Sequence, residues 1–297
     1  MHYARALVLA LAPSLVLACS DGHDDTAASD THDTHDTSTE DRHVEIKLSA
    51  VVGAAPFACG VEFTDLGTTA AAAKFSDARF YVHDVAVYDA MGTRTPVMLH
   101  DNEWQGQGVA LLDFEDATGE CVGTPELNAS ITGMIPGDVT PTAVEFTIGV
   151  PEDLNHLDSS AATSPLNLPA MFWSWMGGYK FMKVDLTATG GPSFNFHLGS
   201  TMCTGDTSAG YTCAYGHRVT LRIDLSPDAD TLLFDLAALV AASDLTTMND
   251  PMVDPVKGCM SGASDPECPA IFATLGIEAS SNDTHPETQT VFRRQGE

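Results

Sequence analysis

The stretch His43-Val-Glu-Ile-Lys-Leu-Ser-Ala-Val51 is the clearest indication of the fold class, because its apolar and polar side chains alternate. Val44, Ile46 and Leu48 fall on one side of an extended chain, and the residues between them fall on the other. This period of two is typical of a strand with one face in a core and one in solvent. The sequence therefore predicts a half-buried β-strand here.

Similar short runs recur at residues 78–88, 142–150, 179–189, 193–198 and 217–225. Turn-forming residues separate them, as in Met91-Gly92-Thr93. Helical patterns are few, and the best candidates are residues 231–242 and 270–275. We therefore expect an all-β fold, an antiparallel β-sandwich-like single domain with long inserted loops and disulfides.

Residues 1–19 have the features of an export signal. A basic start precedes an apolar run that is too short to span a bilayer as a lone helix. The run ends in Val16-Leu17-Ala18-Cys19, which matches a bacterial lipobox, so Cys19 becomes the acylated N-terminus in this interpretation. Ser20 then favours an outer membrane lipoprotein that faces the periplasm or the cell surface and is held to the membrane through its lipid. The alternative is a plain secretory signal.

Residues 20–42 contain Asp, Thr, Ser and His with almost no apolar side chains, which predicts a disordered acidic tether. His23, His32 and His35 lie in this segment and offer weak metal ligands. A solvated linker is the favoured interpretation, because nothing preorganises these imidazoles. The remaining residues, 43–297, are long enough for one large domain.

The formal net charge of −28 excludes some partners. Phosphate groups would be repelled, so we expect no nucleic acid and no direct binding to anionic lipid head groups. Solubility alone explains an acidic surface, so the charge identifies no partner.

The cysteines beyond Cys19 predict disulfides, since an even set in an exported chain is typical of a disulfide framework. Six cysteines allow about fifteen pairings. Short separations favour Cys203 with Cys213 and Cys259 with Cys268, which leaves Cys59 with Cys121. A thiolate metal cluster is the rival interpretation, but no Cys-x-x-Cys pair occurs.

His156 and His197 are the candidate metal ligands, because each lies where a loop meets a β-run. Asn155 and Asp158 flank His156 with groups that can orient an imidazole, and Cys203 follows His197 closely. Two histidines alone suit a near-linear Cu(I) site. A structural role for both imidazoles is the alternative.

Two of the three tryptophans, Trp173 and Trp175, lie between these histidines beside Gly177-Gly178. Met171, Met176 and Met182 surround them, either as soft Cu(I) ligands or, as we favour, as core filling. The glycine pair lets a strand approach another backbone closely. No hydrolase nucleophile motif occurs, although acidic residues 113–116 leave a calcium-dependent hydrolase as a weak alternative.

Several segments, taken in order, resemble the MbnP-like family, the four-cysteine partner of metallo-mystery pairs. The likeness runs from about residue 43 to 225. Its segments are 56–60 (Pro-Phe-Ala-Cys-Gly), 78–82 (Ala-Arg-Phe-Tyr-Val), 110–115 (Ala-Leu-Leu-Asp-Phe-Glu), 148–151 with 154–156 (Leu-Asn-His), 165–167, 171–181 and 196–200 (Phe-His-Leu-Gly-Ser). By this resemblance, residues 43–297 are an MbnP-like β domain with a C-terminal extension.

The resemblance implies a copper-binding protein, not an enzyme, that stores, delivers or sequesters Cu(I) or Cu(II). It also implies a di-haem cytochrome c peroxidase-like partner of the MauG type. In this family a tryptophan converted to kynurenine joins histidines at copper, and the matching positions are His156 and His197 with Trp175, followed by Trp173. Trp104 is a third candidate.

One residue departs from the family pattern, since Met176 stands where many relatives have glutamine. The competing hypothesis for the whole protein is a non-catalytic β-sandwich scaffold or adhesion lipoprotein that binds no metal.

Overall fold

The structure, a computed structural model, describes residues 40–174, 176–226, 230–249 and 256–296. These residues belong to one compact unit, Thr39–Glu297. Cys19, the predicted tether up to residue 39 and Trp175 lie outside the described residues.

Strands dominate the described chain, and helices are few and short. In chain order the strands are β1 Asp41–Val52, β2 Ala55–Pro56, β3 Glu62–Leu66, β4 Ala71–Tyr88, β5 Arg94–Pro96, β6 Met98–Leu99, β7 Gln105–Gly106, β8 Val109–Asp113, β9 Ser130–Pro136, β10 Ala143–Ile148, β11 Phe172–Ser174, β12 Gly178–Tyr179, β13 Met182–Ala188, β14 Ser193–Leu198, β15 Thr201–Asp206, β16 Gly210–Tyr215, β17 Val219–Asp224, β18 Thr231–Asp235, β19 Gly258–Cys259 and β20 Phe292–Arg294. The helices are α1 Leu236–Val240 and α2 Cys268–Thr274, with 3-10 turns at Pro169–Met171 and Pro286–Thr288.

Two main sheets form the sandwich. Sheet A has the order β20-β18-β1-β9-β6, with β2 beside β1. Sheet B has the order β17-β10-β4-β13-β14-β19, and its long strand β4 also pairs with β3, β5 and β8, while β7 pairs with β8. Two small hairpins, β11–β12 and β15–β16, lie outside these sheets. The predicted all-β, sandwich-like fold is confirmed.

The predicted antiparallel pairing holds for most strand pairs but not for all. Strand β18 pairs parallel with β1, and β19 pairs parallel with β14. Both of these strands come from the last third of the chain. Each pairs with a strand that comes much earlier in the chain, so the C-terminal segment contributes to both sheets.

The alternation that predicted β1 is visible in its burial. Ile46 and Leu48 are buried, whereas Glu45 and Lys47 are exposed. The strand begins at Asp41, two residues before the alternating run. One face of β1 therefore contributes to the core and the other faces solvent, as the period of two requires.

Phenylalanine side chains join the two sheets across the core. Phe80 of β4 contacts Phe234 of β18 and Phe292 of β20, with ring centroids 4.9 and 5.3 Å apart. Phe146 of β10 meets the same Phe292 ring at 5.8 Å. Edge-to-face contacts of this kind stabilise a core beyond the apolar area that they bury.

The helix predicted over residues 231–242 is wrong in its first half. Residues Thr231–Asp235 form β18, because they pair with β1 on one side and β20 on the other. Asp235 then caps α1, its carboxylate accepting hydrogen bonds from the amides of Ala237 and Ala238. The second predicted helix is confirmed as α2. None of the described helices is long and apolar enough to cross a membrane.

All three predicted disulfides are present. Cys59 bonds to Cys121, Cys203 to Cys213 and Cys259 to Cys268. The middle bridge joins directly opposite residues of the β15–β16 hairpin. Cys59 and Cys121 lie in two connections between strands, and Cys259 of β19 is joined to Cys268 at the start of α2.

Candidate metal centre

His197 lies on β14 near the end of sheet B and is 7% exposed. Its Nε2 lies 2.8 Å from Oδ1 of Asp185, which projects from the neighbouring strand β13. The backbone around it is fixed by Ser261, whose hydroxyl donates to the His197 carbonyl and accepts from the Gly199 amide. Both the ring and the chain of His197 are therefore held in place.

The hydrogen bond to Asp185 determines which ring nitrogen of His197 is free. Burial alone would raise the pKa of Asp185, but the hydrogen bond with His197 and the charge of Lys183 outweigh it and hold that pKa below its ordinary value. The ionised carboxylate can only accept a hydrogen bond, so in the neutral tautomer that fits this contact Nε2 carries the proton. Nδ1 then has a lone pair, and among the described residues this buried atom has no hydrogen-bond partner.

Trp173 lies beside His197, as the sequence-based hypothesis requires. It sits on β11, and its ring centroid is 6.5 Å from that of His197. The indole packs on Gly199, where an added Cβ would come within 2.4 Å of the ring. A side chain at position 199 would therefore displace the indole, and the Gly-Ser pair after His197 makes room for the tryptophan.

His156 is held differently, in the loop after β10. Its Nε2 lies 3.2 Å from Sγ of Cys213 and 3.1 Å from the side-chain Nδ2 of Asn155. Its ring stacks on Tyr211 with centroids 5.0 Å apart. Both Tyr211 and Cys213 belong to β16, so the disulfide-bonded hairpin fixes this imidazole.

A close backbone approach connects the His156 loop to the tryptophan hairpin. Asn155 is fully buried, and its Oδ1 accepts a hydrogen bond from the amide of Tyr179. Gly178 precedes that amide, and a Cβ on it would lie 2.6 Å from the same Oδ1. The glycine pair therefore has the predicted role of permitting a close approach, and it brings His156 and Trp173 into one region.

The sulfur atoms of the disulfide are unsuitable as thiolate ligands. Nitrogen of His156 and the sulfurs of Cys203 and Cys213 lie within 4.8 Å of one another. The sulfurs are bonded to each other, and a metal would need the deprotonated thiolates. The second such group, around Cys259 and Cys268, is also a disulfide. The disulfide interpretation is therefore confirmed over the thiolate cluster.

Two surface cavities open at this region. One of about 300 Å³ is lined by His156, Tyr211 and four carboxylate side chains: Glu152, Asp153, Asp158 and Asp206. The other, of about 510 Å³, is lined by Trp173 and the thioethers of Met176, Met202 and Met260. An acidic entrance attracts cations, and an aromatic and thioether surface suits soft ions or apolar contact.

Two of the three methionines near the tryptophans fill the core. Met171 and Met182 are fully buried in the core, which confirms core filling for them. Met176 is 56% exposed and lines the larger cavity.

A buried network of charges lies behind His197, and sequence reasoning missed it. Lys183 contacts both Asp185 and Asp77, and Asp77 also binds Arg79. The Arg79 guanidinium in turn lies 3.6 Å from Glu115 and 3.9 Å from Asp113. Charged residues in the apolar strands β4 and β13 were the available signal, since such residues need partners when buried.

The position of Asp113 and Glu115 removes the basis of the calcium alternative. Both carboxylates are buried and face Arg79. Burial raises the pKa of Asp113 to about 7 despite that guanidinium, and it also raises the pKa of Glu115. These carboxylates act as the counter-charges of an arginine. Trp104, the third candidate tryptophan, is partly buried and packs against the core.

Comparison with known proteins adds two findings. The family model described as MbnP matches residues 41–261. A solved structure, MbnP from Methylosinus trichosporium, superposes with a TM-score of 0.75 at 28% identity, covering 86% of this chain and 98% of that one. Among curated proteins, none matches this sequence significantly.

Proposed function

This chain belongs to the MbnP family, and from that membership we propose that it is an exported copper-binding protein. It holds Cu(I) or Cu(II) for storage, delivery or sequestration and catalyses no reaction of its own. His156 and His197 are the proposed ligands. A tryptophan of the 173–175 pair, once oxidised to kynurenine, is the proposed third.

The observation that carries this proposal is the environment of His197. A ligating histidine almost always donates its second ring N–H to a carboxylate or carbonyl, which fixes the tautomer and aims the lone pair. His197 has that arrangement, with Nε2 on Asp185 and a buried Nδ1 without a partner among the described residues. A structural histidine would be expected to use both nitrogens, as His217 does with the carbonyls of Gly199 and Ala279.

The surroundings of His156 support its role as a second ligand. Its imidazole borders the acidic cavity, so the carboxylates there raise the local concentration of cations. Tyr211 stacks on the ring and Cys213 of the disulfide-bonded hairpin contacts its Nε2, so the imidazole is held at the edge of this cavity. Copper accepts imidazole in either oxidation state, and the donor set fits it.

The proximity of Trp173 to His197 supports the kynurenine ligand. Oxidative cleavage of the indole C2–C3 bond, with C2 leaving as formate, yields an aryl amine and a ketone, and the amine is a nitrogen donor that indole lacks. Trp173 is partly exposed beside the larger cavity, so an oxidant acting at the surface can reach it. The proposed oxidant is the MauG-type di-haem partner. Trp175 is the other candidate, two residues along the chain.

Export and anchoring complete the proposal. The lipobox-like sequence that ends at Cys19 supports a lipoprotein of the outer membrane, held by lipid and facing the periplasm or the cell surface. An oxidising compartment agrees with the three disulfides.

The decisive test is peptide mass spectrometry and metal analysis on one sample of protein from its native host. We expect bound copper and a gain of about 4 Da on the peptide that contains Trp173 and Trp175. Fragmentation of that peptide identifies which tryptophan changed. Protein produced without the di-haem partner is the control and should show the unmodified mass.

Two other results would redirect the assignment. Copper with two unmodified tryptophans would leave a two-histidine site without kynurenine. Absence of both copper and the mass change would favour the scaffold or adhesion lipoprotein.

A further inference from the structure

A second group of metal-binding side chains lies on the opposite sheet. It consists of His43 on β1, Met134 on β9, Met98 on β6 and His100 just after β6. We call these four residues the histidine–methionine face. None of them belongs to the region around His156 and His197.

Strand register places the four side chains on one surface. His43 is the partner of Met134 across β1 and β9, and Met134 is the partner of Met98 across β9 and β6. Directly paired residues point to the same side of a sheet. The neighbours Ile131 and Ile135 on β9 are buried, so Met134 points away from the core. His43 is exposed and Met98 is 63% exposed, which agrees with an outward direction.

The two imidazoles meet across β9. The backbone amide of His100 donates a hydrogen bond to the carbonyl of Thr132. His100 therefore lies beside Thr132, two residues before Met134 on β9. The rings of His43 and His100 stack with centroids 5.2 Å apart and planes inclined by 29°. Two ring systems from strands on either side of β9 therefore converge above the same part of the sheet, next to a thioether.

One carboxylate lies beside the histidine–methionine face. Glu45 is paired with Thr132 across β1 and β9, so its carboxylate is on the same surface and in the same row as His100. The site is otherwise formed by neutral donors. Met98 is 63% exposed and Met134 is half-buried on the outward face of β9, so packing in the core accounts for neither side chain.

We propose that the histidine–methionine face is a second metal site, selective for a soft monovalent ion such as Cu(I). Imidazole and thioether are ligands that Cu(I) accepts, whereas Zn²⁺ and Ca²⁺ rarely take a thioether. Rotation of surface side chains brings ring nitrogens of His43 and His100 and the Met134 sulfur to one ion, with Met98 as the alternative sulfur. The inference does not depend on the proposed kynurenine site.

The test uses Ag(I), a redox-inert substitute for Cu(I), and the whole folded protein with ¹³C-labelled methionine methyl groups. We expect the Met98 and Met134 methyl signals to shift and to saturate with one site. In a His43→Ala/His100→Ala variant the midpoint of that shift should move to at least about tenfold higher Ag(I). A His156→Ala/His197→Ala variant should keep it unchanged, which separates this site from the proposed copper centre.

Two control variants have matched chemistry elsewhere on the surface. His285→Ala removes an exposed histidine, and Met91→Leu removes a methionine that is 87% exposed. Neither should alter the Met98 and Met134 response. The proposal is overturned if Ag(I) leaves those methyl signals unmoved, or if the double histidine variant responds as the wild type does. It is also overturned if Zn²⁺ binds these histidines as tightly as Ag(I) does.

Discussion

His156 and His197 are held by opposite means in the same region of the protein. His197 is buried on a sheet strand and bonded to a carboxylate on the next strand. His156 is on a loop and rests against a disulfide-bonded hairpin whose own residues are largely exposed. The His197 imidazole is fixed by the main sheet and its charge network, and the His156 imidazole by the disulfide-bonded β15–β16 hairpin at the surface.

In the proposed copper site the two imidazoles would have different roles. His197 has little freedom on its strand, so it would set the position of the metal. His156 lies on a loop next to the acidic cavity, so it would serve entry and release of the metal.

The largest effect is expected from removing the two imidazoles one at a time. His197→Ala should weaken copper binding at least about 1,000-fold, roughly 4 kcal/mol, because it deletes the preorganised ligand. His156→Ala should cost about 10- to 100-fold, because the loop can offer another donor. Competition with a chromogenic copper chelator measures both.

The control for this pair is His285→Ala, since His285 is half exposed and paired with Glu278. Its copper affinity should equal that of the wild type. Equal losses for His156→Ala and His197→Ala would contradict the division of roles.

Removing the disulfides should separate stability from copper binding. Cys59→Ser/Cys121→Ser opens a bridge with a sequence separation of 62, and loop-closure entropy predicts a loss of about 4 kcal/mol in the free energy of unfolding. Cys203→Ser/Cys213→Ser opens one with a separation of 10, for at most about 3 kcal/mol. Urea unfolding of the metal-free variants measures both losses.

Copper affinity should follow the reverse order in the same variants. Loss of the hairpin bridge frees His156 and should weaken copper about tenfold, whereas loss of the Cys59–Cys121 bridge should leave the folded protein's affinity unchanged. An unchanged copper affinity in Cys203→Ser/Cys213→Ser would show that this disulfide does not position His156.

Asp185→Asn tests whether the carboxylate orients His197. The amide can present its NH₂ to Nε2, which favours the wrong tautomer, so copper affinity should fall about 10- to 100-fold. The matched control is Asp206→Asn at the acidic cavity beside His156, where the carboxylate is exposed and bonded to Ser208. That change should have little effect on affinity. A larger effect at Asp206 would reverse the interpretation.

The smallest expected effect is on the pH dependence of stability, through Asp113 in the buried charge network behind His197. The folded-state pKa of Asp113 is raised to about 7 from 3.8, so between those values the folded protein binds more protons than the unfolded chain. The contribution of Asp113 to the free energy of unfolding is fully present below its pKa in the unfolded chain. It is lost as the pH rises through its pKa in the folded protein. Asp113→Asn cannot ionise, so its stability should decline less between pH 4 and 7.

Between pH 4 and pH 7, the free energy of unfolding of Asp113→Asn should fall by on the order of 1 to 2 kcal/mol less than that of the wild type. Urea unfolding at several pH values measures the slope. Asp116→Asn, which alters an exposed carboxylate bonded to Thr118, is the control. Identical slopes for Asp113→Asn and wild type would contradict a raised pKa.

Local patterns in the sequence predicted much of this structure. The alternation of residues 43–51 and 193–198 gave β1 and β14, and cysteine spacing gave all three bridges. The period of two depends only on neighbouring residues, so it is readable from the chain. The same is true of the glycine pair at 177–178.

Long-range pairing could not be read in this way. Residues 231–235 look helical by themselves and become a strand because β1 and β20 flank them. Asp185 and Ser261 were not identified as supports of His197, because only the folded sheet brings them to it. The stacked pair His43 and His100 likewise depends on the register of three strands.

The parallel pairing of β1 with β18 also governs when this domain can fold. Lys47 and Thr231 are partners, so the first strand of sheet A must wait for a segment near the other end of the chain. Contacts of such high sequence separation make folding slow and leave β1 unpaired on that edge during synthesis. The exposed charges of Glu45 and Lys47 on β1 then reduce the risk of aggregation during that interval.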